Sequence, residues 1–461
     1  TFAQVRTEQA FEKCWKFTRE DSKDFSQQTY DDTKWQSVTV PHDWAIYGPF
    51  SIENDKQKVA ITQDGQKEAL EHAGRTGGLP FVGVGWYRLN FEAPAFSSGK
   101  KATLIFDGAM SHARVYINGQ EAGFWPYGYN SFHIDATPYL KAGEQNTLAV
   151  RLENETESSR WYPGAGLYRN VHLIVTDKIH VPVWGTQITT PHVSKEFAAV
   201  RLQTRIDNAG EKTQIRMETE ILSPDGKVVT RKENTGRINH GQPFEQNFIV
   251  NAPELWSPES PSLYKAVSKI YANNKLVDPY TTRFGIRSIE FIADKGFYLN
   301  GEHRKFQGVC NHHDLGPSGA AINVAALRHQ LTLLKDMGCD AIRTSHNMPA
   351  PELVELCDEM GFMMMIEPFD EWDIAKCDNG YHRYFNEWAE RDMINMLHNY
   401  RNNPCVVMWS IGNELQMRED LAGFPTGDWG VTTYRIFDVL VKRYDSTRKT
   451  TVAMYPSRAG A

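Results

Sequence analysis

From Trp35 to about Val175 the chain alternates apolar and polar residues in short runs between turn residues. Trp86-Tyr87-Arg88-Leu89-Asn90-Phe91, Ala102-Thr103-Leu104-Ile105-Phe106 and Ala113-Arg114-Val115-Tyr116-Ile117 each follow a period of two. The last runs into the turn pair Asn118-Gly119. Thr147 to Leu152 and Asn170 to Val175 continue the series. Such strands, with Gly, Pro, Asn and Asp between them and no long helical period, predict a β-sandwich. Residues 50–80 interrupt it with a polar, glycine-containing stretch that reads as a loop, and loops of that length usually carry function or motion.

From 178 to about 287 the all-β texture repeats in a smaller unit. Val200 to Ile206 and Ile215 to Ile221 alternate strictly, and Pro224-Asp225-Gly226 predicts a tight turn. This size and texture fit an immunoglobulin-like sandwich without a cysteine bridge, expected to act as a spacer.

After about Gly296 strand-like runs alternate with helical periods. Lys305 to Val309 precedes an amphipathic stretch from Val324 to Met337. Ala341 to Thr344 precedes Pro351 to Met360, and Phe362 to Ile366 precedes a helix from about Phe385 to Tyr400. Cys405 to Ser410 precedes a helix from about Val431 to Tyr444, and Thr450 to Met454 reads as a fifth strand. This βαβα order predicts a parallel sheet, and its continuous apolar strands predict burial on both faces, as in a barrel wall. A closed (β/α)₈ barrel takes about 250 residues, more than the stretch from Gly296 to Ala461 supplies. The pattern therefore reads as a barrel cut short.

Composition narrows the function classes. The 461 residues are 41% hydrophobic and 23% charged, which fits globular domains. A formal charge of -7 gives no electrostatic case for nucleic acid or an anionic membrane, and no apolar run reaches the roughly 20 residues of a span. The six cysteines form no CxxC pair and read as buried free thiols. Twelve Trp and nineteen Tyr suit stacking on sugar rings as well as sheet cores.

In a barrel, functional groups collect at the C-terminal ends of the strands. Here the first strand delivers Asn311, His312, His313 and Asp314, and the second Ser345, His346 and Asn347. The third delivers Glu367, Asp370, Glu371 and Asp373, and the fourth Asn413 and Glu414. Glu414 closes an apolar run, where partial desolvation would favour its neutral acid form. Glycoside hydrolysis requires such an acid together with a second carboxylate.

Several ordered motifs then resemble glycoside hydrolase family 2. Met408-Trp409-Ser410-Ile411-Gly412-Asn413-Glu414 resembles its acid/base signature. Ile342-Arg343-Thr344-Ser345-His346-Asn347 resembles a second barrel motif, and Gly308-Val309-Cys310-Asn311-His312-His313-Asp314 resembles the first barrel strand of its β-galactosidases. Val40-Pro41-His42-Asp43-Trp44 and Arg160 to Arg169 resemble its sugar-binding domain. The resemblance implies three units: a jelly-roll-like β-sandwich over 1–177, an immunoglobulin-like β-sandwich over 178–287, and the first part of a catalytic TIM barrel over 288–461.

The resemblance also implies roles. Glu414 matches the general acid/base, and Asn413 the amide that binds the sugar 2-OH. His346 and His312 or His313 match histidines lining the sugar pocket, and Asp43 matches a polar contact from the first domain. Arg160 and Trp161 lie on a loop expected to reach the barrel mouth, and Glu367 matches a supporting position. Glu371 falls near a magnesium ligand of some members, but Asp373 stands where that pattern has His, so no cofactor is expected, with magnesium near Glu371 as the alternative. The family's nucleophile, a Glu near the seventh strand, has no counterpart here, so the chain alone is expected to be inactive. The expected function is that of a retaining exo-β-galactosidase acting on a β-galactoside oligosaccharide or glycan. Alternatives are a β-glucuronidase, a β-mannosidase, or a non-catalytic carbohydrate-binding fragment. The family leads one to expect a periplasmic or extracellular location without excluding the cytoplasm, and leaves a homo-oligomer open.

Overall fold

The computed structural model describes residues 5–59, 70–73, 81–95, 99–208, 212–238, 243–415 and 430–453. The first unit stacks two antiparallel sheets. One orders Thr7–Ala10, Val171–Thr176, Lys101–Phe106 and Phe132–Asp135. The other runs from Gln36–Val38 through Trp15–Thr18, Gly83–Glu92, Gln145–Asn154 and Ala113–Ile117 to Gln120–Trp125. Alternate residues such as Leu104, Phe106, Val115, Ile117, Val150 and Leu152 meet in one core between them. At the Asn118-Gly119 turn both residues have positive φ, 52° and 85°, as the right-handed twist of a tight hairpin requires. Within residues 50–80, Lys56–Val59 pairs antiparallel with Leu70–Ala73, so part of the expected loop is a hairpin.

The second unit packs a three-stranded sheet (Thr186–Val193, Phe197–Thr204, Phe244–Asn251) on a four-stranded one (Val228–Ile238, Thr213–Leu222, Tyr264–Ala272, Lys275–Phe284). It does more than space its neighbours. Arg287, at its exit, donates Nε to Pro404 O (2.6 Å) and Nη2 to Val406 O (2.7 Å) of the third unit. Asn402 Oδ1 accepts from Ile188 N at 2.8 Å. A small antiparallel sheet (Ile289–Ile292, Gly296–Leu299, Glu302–Arg304), unforeseen in the sequence, leads into the barrel portion.

The third unit is an open parallel sheet in sequential order: β1 Gly308–Asn311, β2 Ala341–Thr344, β3 Met363–Ile366, β4 Val406–Ser410 and β5 Lys449–Thr451. Between them lie α1 Val324–Asp336, α2 Pro351–Met360, α3 His382–Tyr400 and α4 Val431–Tyr444. α2 begins with Pro at its first position and ends at Gly361, whose φ of 72° suits a left-handed cap. A Cβ on Gly361 would also stand 2.4 Å from Pro258 O, so glycine is doubly required there. β1 starts later than its apolar run predicted, at Gly308, where the backbone passes so close to Ala341 that a Cβ would lie 2.4 Å from its carbonyl oxygen. The end of the fifth expected strand at Met454 lies outside the described residues.

Burial of the sheet departs from expectation. Ile342, Met364, Val407 and Trp409 are enclosed. Cys310, Arg343, Met365 and Met408 instead line a trough of about 210 Å³ on the inner side. All six cysteines are free, but only Cys357 and Cys405 are buried, while Cys14 and Cys310 are exposed. No described helix is long and apolar enough to cross a membrane.

The first unit is fixed to the third by buried polar groups. Arg169, 1% exposed, donates to Tyr129 O (2.8 Å) and Asp107 O (3.3 Å) of its own unit and to Met348 O (2.8 Å) and Pro349 O (3.2 Å) of the barrel. Asp392 of α3 accepts from Trp125 Nε1 (2.8 Å) and Asn130 Nδ2 (2.7 Å) across the seam, and from Tyr381 OH. Burial pushes this carboxyl up to about 7, against the pull of those three donors. An acid whose folded pKa exceeds its unfolded value holds its proton more tightly when folded. Its contribution is full below about pH 4 and is lost as pH rises towards 7, on the order of 4 kcal/mol. Asp392→Asn should therefore flatten the stability profile between about pH 4 and 7, measured by denaturant midpoints. Unchanged slopes in wild type and variant would refute the assignment.

Candidate active site

Glu367 follows β3 directly and is fully enclosed. Its carboxylate accepts from Arg343 Nε (3.1 Å), twice from Arg343 Nη2 (2.9 and 2.8 Å), from His346 Nδ1 (2.6 Å) and from Ser410 Oγ (2.5 Å). The parallel register puts Arg343 beside Met365, and the side chain climbs the inner wall to reach the strand ends. Arg343 Nη2 also donates to Asn413 Oδ1 at 2.8 Å. Asn413 Nδ2 in turn donates to Asp370 Oδ1 at 2.8 Å.

Asp370 is where the two domains meet. Arg160, from the first unit, donates Nε to Oδ2 (2.8 Å) and Nη2 to Oδ1 (2.5 Å). Arg160 Nη1 continues to Glu414 Oε2 at 3.4 Å. Lys376 Nζ donates to Asp370 Oδ1 (3.1 Å) and to the carbonyls of Asp370 (2.5 Å) and Asn413 (2.7 Å). Burial alone would raise the Asp370 carboxyl, but Arg160, Lys376 and Asn413 outweigh it and hold it at about 2. One unbroken polar chain thus runs from Glu367 through Arg343, Asn413, Asp370 and Arg160 to Glu414.

Above this chain stand the rings. Trp161 donates Nε1 to Tyr129 OH at 3.0 Å, and its ring centroid lies 5.1 Å from His312 and 5.7 Å from His346. Burial, then the neighbouring His346, lowers the pKa of His312 and favours its neutral form. The bond from His346 Nδ1 to Glu367 fixes the orientation of the imidazole. A cavity of about 80 Å³ opens here, walled by Tyr127, Tyr129, Trp161, His346, Asp370 and Tyr381. Aromatic walls with a few fixed polar groups are the common make-up of small-ligand sites.

The structure links Glu414, Asn413, Glu367, His346 and Arg160 through the polar chain and sets Trp161 and His312 beside His346; of these, His346 and Trp161 line the cavity. It places two expected residues elsewhere. Asp43 is 1% exposed, and its oxygens accept from Ala45 N (3.0 Å), Ala165 N (3.1 Å), Ala320 N (2.8 Å) and Tyr162 OH (2.5 Å). It ties three loops together and faces protein on every side. His313 gives Nε2 to Pro163 O at 2.9 Å, with its ring edge-on to Tyr129, so it seats the first unit on the barrel. Glu414 differs from expectation too: its side chain is 49% exposed, not desolvated. The chain turns sharply there, with φ of 38°, which swings the carboxyl outward while Asn413 stays buried.

The magnesium position does not fit. Glu371 Oε2 accepts from Lys376 N (2.6 Å), and Oε1 from His382 N (2.8 Å) and His382 Nδ1 (3.2 Å). Its carboxylate caps the start of α3, and no group of three metal-ligating side chains occurs among the described residues. Sequence reasoning did not single out Arg343 as a linker, nor Lys376. The signal was present in Lys376 as a lone cation in the acid-rich stretch from Glu367 to Asp378.

Known proteins match along nearly the whole chain. Family models match residues 10–177 (glycosyl hydrolases family 2, sugar binding domain), 181–287 (glycosyl hydrolases family 2) and 291–449 (glycosyl hydrolases family 2, TIM barrel domain). A β-galactosidase of Bacteroides ovatus is 43% identical over 88% of this chain and 46% of its own length. A putative β-glucuronidase of Formosa agariphila is 37% identical over 89% of this chain and 37% of its own. The chain thus spans less than half the length of these relatives. Among solved structures, a family 2 glycosyl hydrolase from Bacteroides cellulosilyticus superposes with a TM-score of 0.87 at 33% identity, covering 97% of this chain and 56% of the other. The three units therefore have one family behind them: this chain belongs to glycoside hydrolase family 2.

Proposed function

We propose that the chain supplies the acid/base half of a retaining exo-β-galactosidase, which releases terminal non-reducing β-D-galactose by double displacement. Glu414 protonates the glycosidic oxygen as the aglycone leaves, then takes a proton from the water that frees the sugar. The reaction needs a second carboxylate about 5–5.5 Å away. Glu367 and Asp370 are committed to protein donors, so neither is assigned as the nucleophile. Among the described residues Asn413 spends one N–H on Asp370 and one lone pair on Arg343, and its remaining N–H and lone pair are assigned to a sugar hydroxyl. His346 Nε2, His312 and the face of Trp161 complete the proposed sugar contacts.

One observation carries the choice of a neutral sugar. Arg343, Arg160 and Lys376, the cations of the polar chain, are each engaged by a carboxylate. A uronic acid would need a cation left free to receive it. The test is a panel of aryl β-galactoside, β-glucuronide and β-mannoside on the full-length enzyme. A kcat/KM for galactoside at least a hundredfold above the others is expected, and preference for the glucuronide would overturn the reading.

A further inference from the structure

A second cleft, of about 530 Å³, separates the immunoglobulin-like unit from the underside of the parallel sheet. It lies at the N-terminal ends of β4 and β5, on the face opposite Glu414. Five arginines line it: Arg201, Arg287, Arg401, Arg443 and Arg448. Arg201 is balanced by Glu245 at 2.6 Å and Arg448 by Asp445 at 2.6 Å. Glu290 is the single carboxylate on the lining, and it is exposed.

The other three guanidiniums have no carboxylate within ion-pair distance among the described residues. Arg287, 8% exposed, meets only the carbonyls of Pro404 and Val406. Arg448 Nε shares that Val406 carbonyl at 2.6 Å, so two cationic forks converge on one oxygen. Arg401 makes long contacts to Thr186 O (3.3 and 3.2 Å) and Gln187 Oε1 (3.4 Å). Arg443 rests over the Tyr444 ring. Burial, and then Arg448, draws Arg287 down to about 9, and burial draws Arg401 down to about 10, although Asp445 opposes both shifts. Arg287 is buried and Arg401 half-buried without a paired carboxylate, which is costly, and an anion between them and the exposed Arg443 would offset that cost. Planar guanidinium forks match the oxygens of sulfate and phosphate.

We propose that this cleft binds a tetrahedral oxyanion, sulfate or phosphate, either as the free ion or as an ester on a saccharide. A plainer account covers part of the pattern: Arg401 and Arg443 sit at the C-terminal ends of α3 and α4, where a cation complements the helix dipole. It does not cover Arg287, which ends no helix, or its convergence with Arg448. Bound there, the ion would join Arg287 of the linker to Arg401 and Arg443 of the barrel helices.

The test is calorimetric titration of sodium sulfate into the 461-residue chain, with chloride holding ionic strength constant. Binding in the millimolar range or tighter is expected, weakened at least tenfold in the double variant Arg401→Gln/Arg443→Gln. Arg114→Gln, at a distant exposed arginine, should bind as wild type. The double variant spares Arg287, whose bonds hold β4, and Arg443→Gln alone provides a second, milder change. A parallel titration with galactose 6-sulfate identifies the source: tighter binding of the ester marks a saccharide ligand, and equal or weaker binding marks the free ion. Equal sulfate binding by wild type and double variant, or no binding above chloride, overturns the proposal.

Discussion

In the full-length enzyme, Glu414→Gln should lower kcat/KM on an alkyl β-galactoside by about 10²–10⁴-fold, the usual worth of a positioned general acid. With a dinitrophenyl galactoside, whose leaving group needs no proton, formation of the glycosyl-enzyme should fall by less than about tenfold. The asymmetry is the diagnostic. A residue that merely holds Arg160 in place would impair both substrates alike, because a disordered Arg160 would loosen Asp370 and Asn413 whatever the leaving group. Equal loss on both would remove Glu414 from the acid/base role. The exposed position of the carboxyl suits the assignment, since a group that must meet substrate and then water cannot be sealed by protein.

The second large effect is on the foundation of the site. Glu367→Ala should destabilise the barrel portion by about 3–5 kcal/mol, because it leaves the Arg343 guanidinium without its counter-charge. The same change removes the acceptor of His346 and of Ser410, so the imidazole loses its fixed orientation as well. Glu367→Gln keeps the shape and one acceptor oxygen and should cost less. Urea unfolding followed by tryptophan fluorescence reads the difference, with the barrel transition taken separately from those of the two β-units. A loss below about 1 kcal/mol for the alanine variant would mean that the hub is dispensable.

Local sequence carried much of the fold because the elements concerned are locally determined. α2 is legible from Pro351 and Gly361, which set its two ends, and the hairpin at Asn118-Gly119 from two residues that tolerate positive φ. α3 begins three residues before its apolar period predicts, at His382, because its first turn is capped by Glu371 from the loop after β3. No window of local sequence contains that bond. The site divides in the same way. Strand-end position marked His346, Glu367, Asn413 and Glu414, since the parallel topology alone brings strand ends together. Asp43 and His313 carry the right chemistry for a sugar pocket, but donors and acceptors from distant loops engage them first, and those partners exist only once the domains have docked.

Trp161 and Arg160 reach the cleft from a β-sandwich that has its own hydrophobic core, while Glu414 and Asn413 rise from the barrel sheet. Substitutions at Trp161 can therefore reshape the ring beside His312 and His346 while Arg160 keeps its bonds to Asp370 at the strand ends. Under the proposed function, a division of labour of this kind would let the sugar-facing ring change by an edit to one loop while the polar chain at the strand ends stays intact.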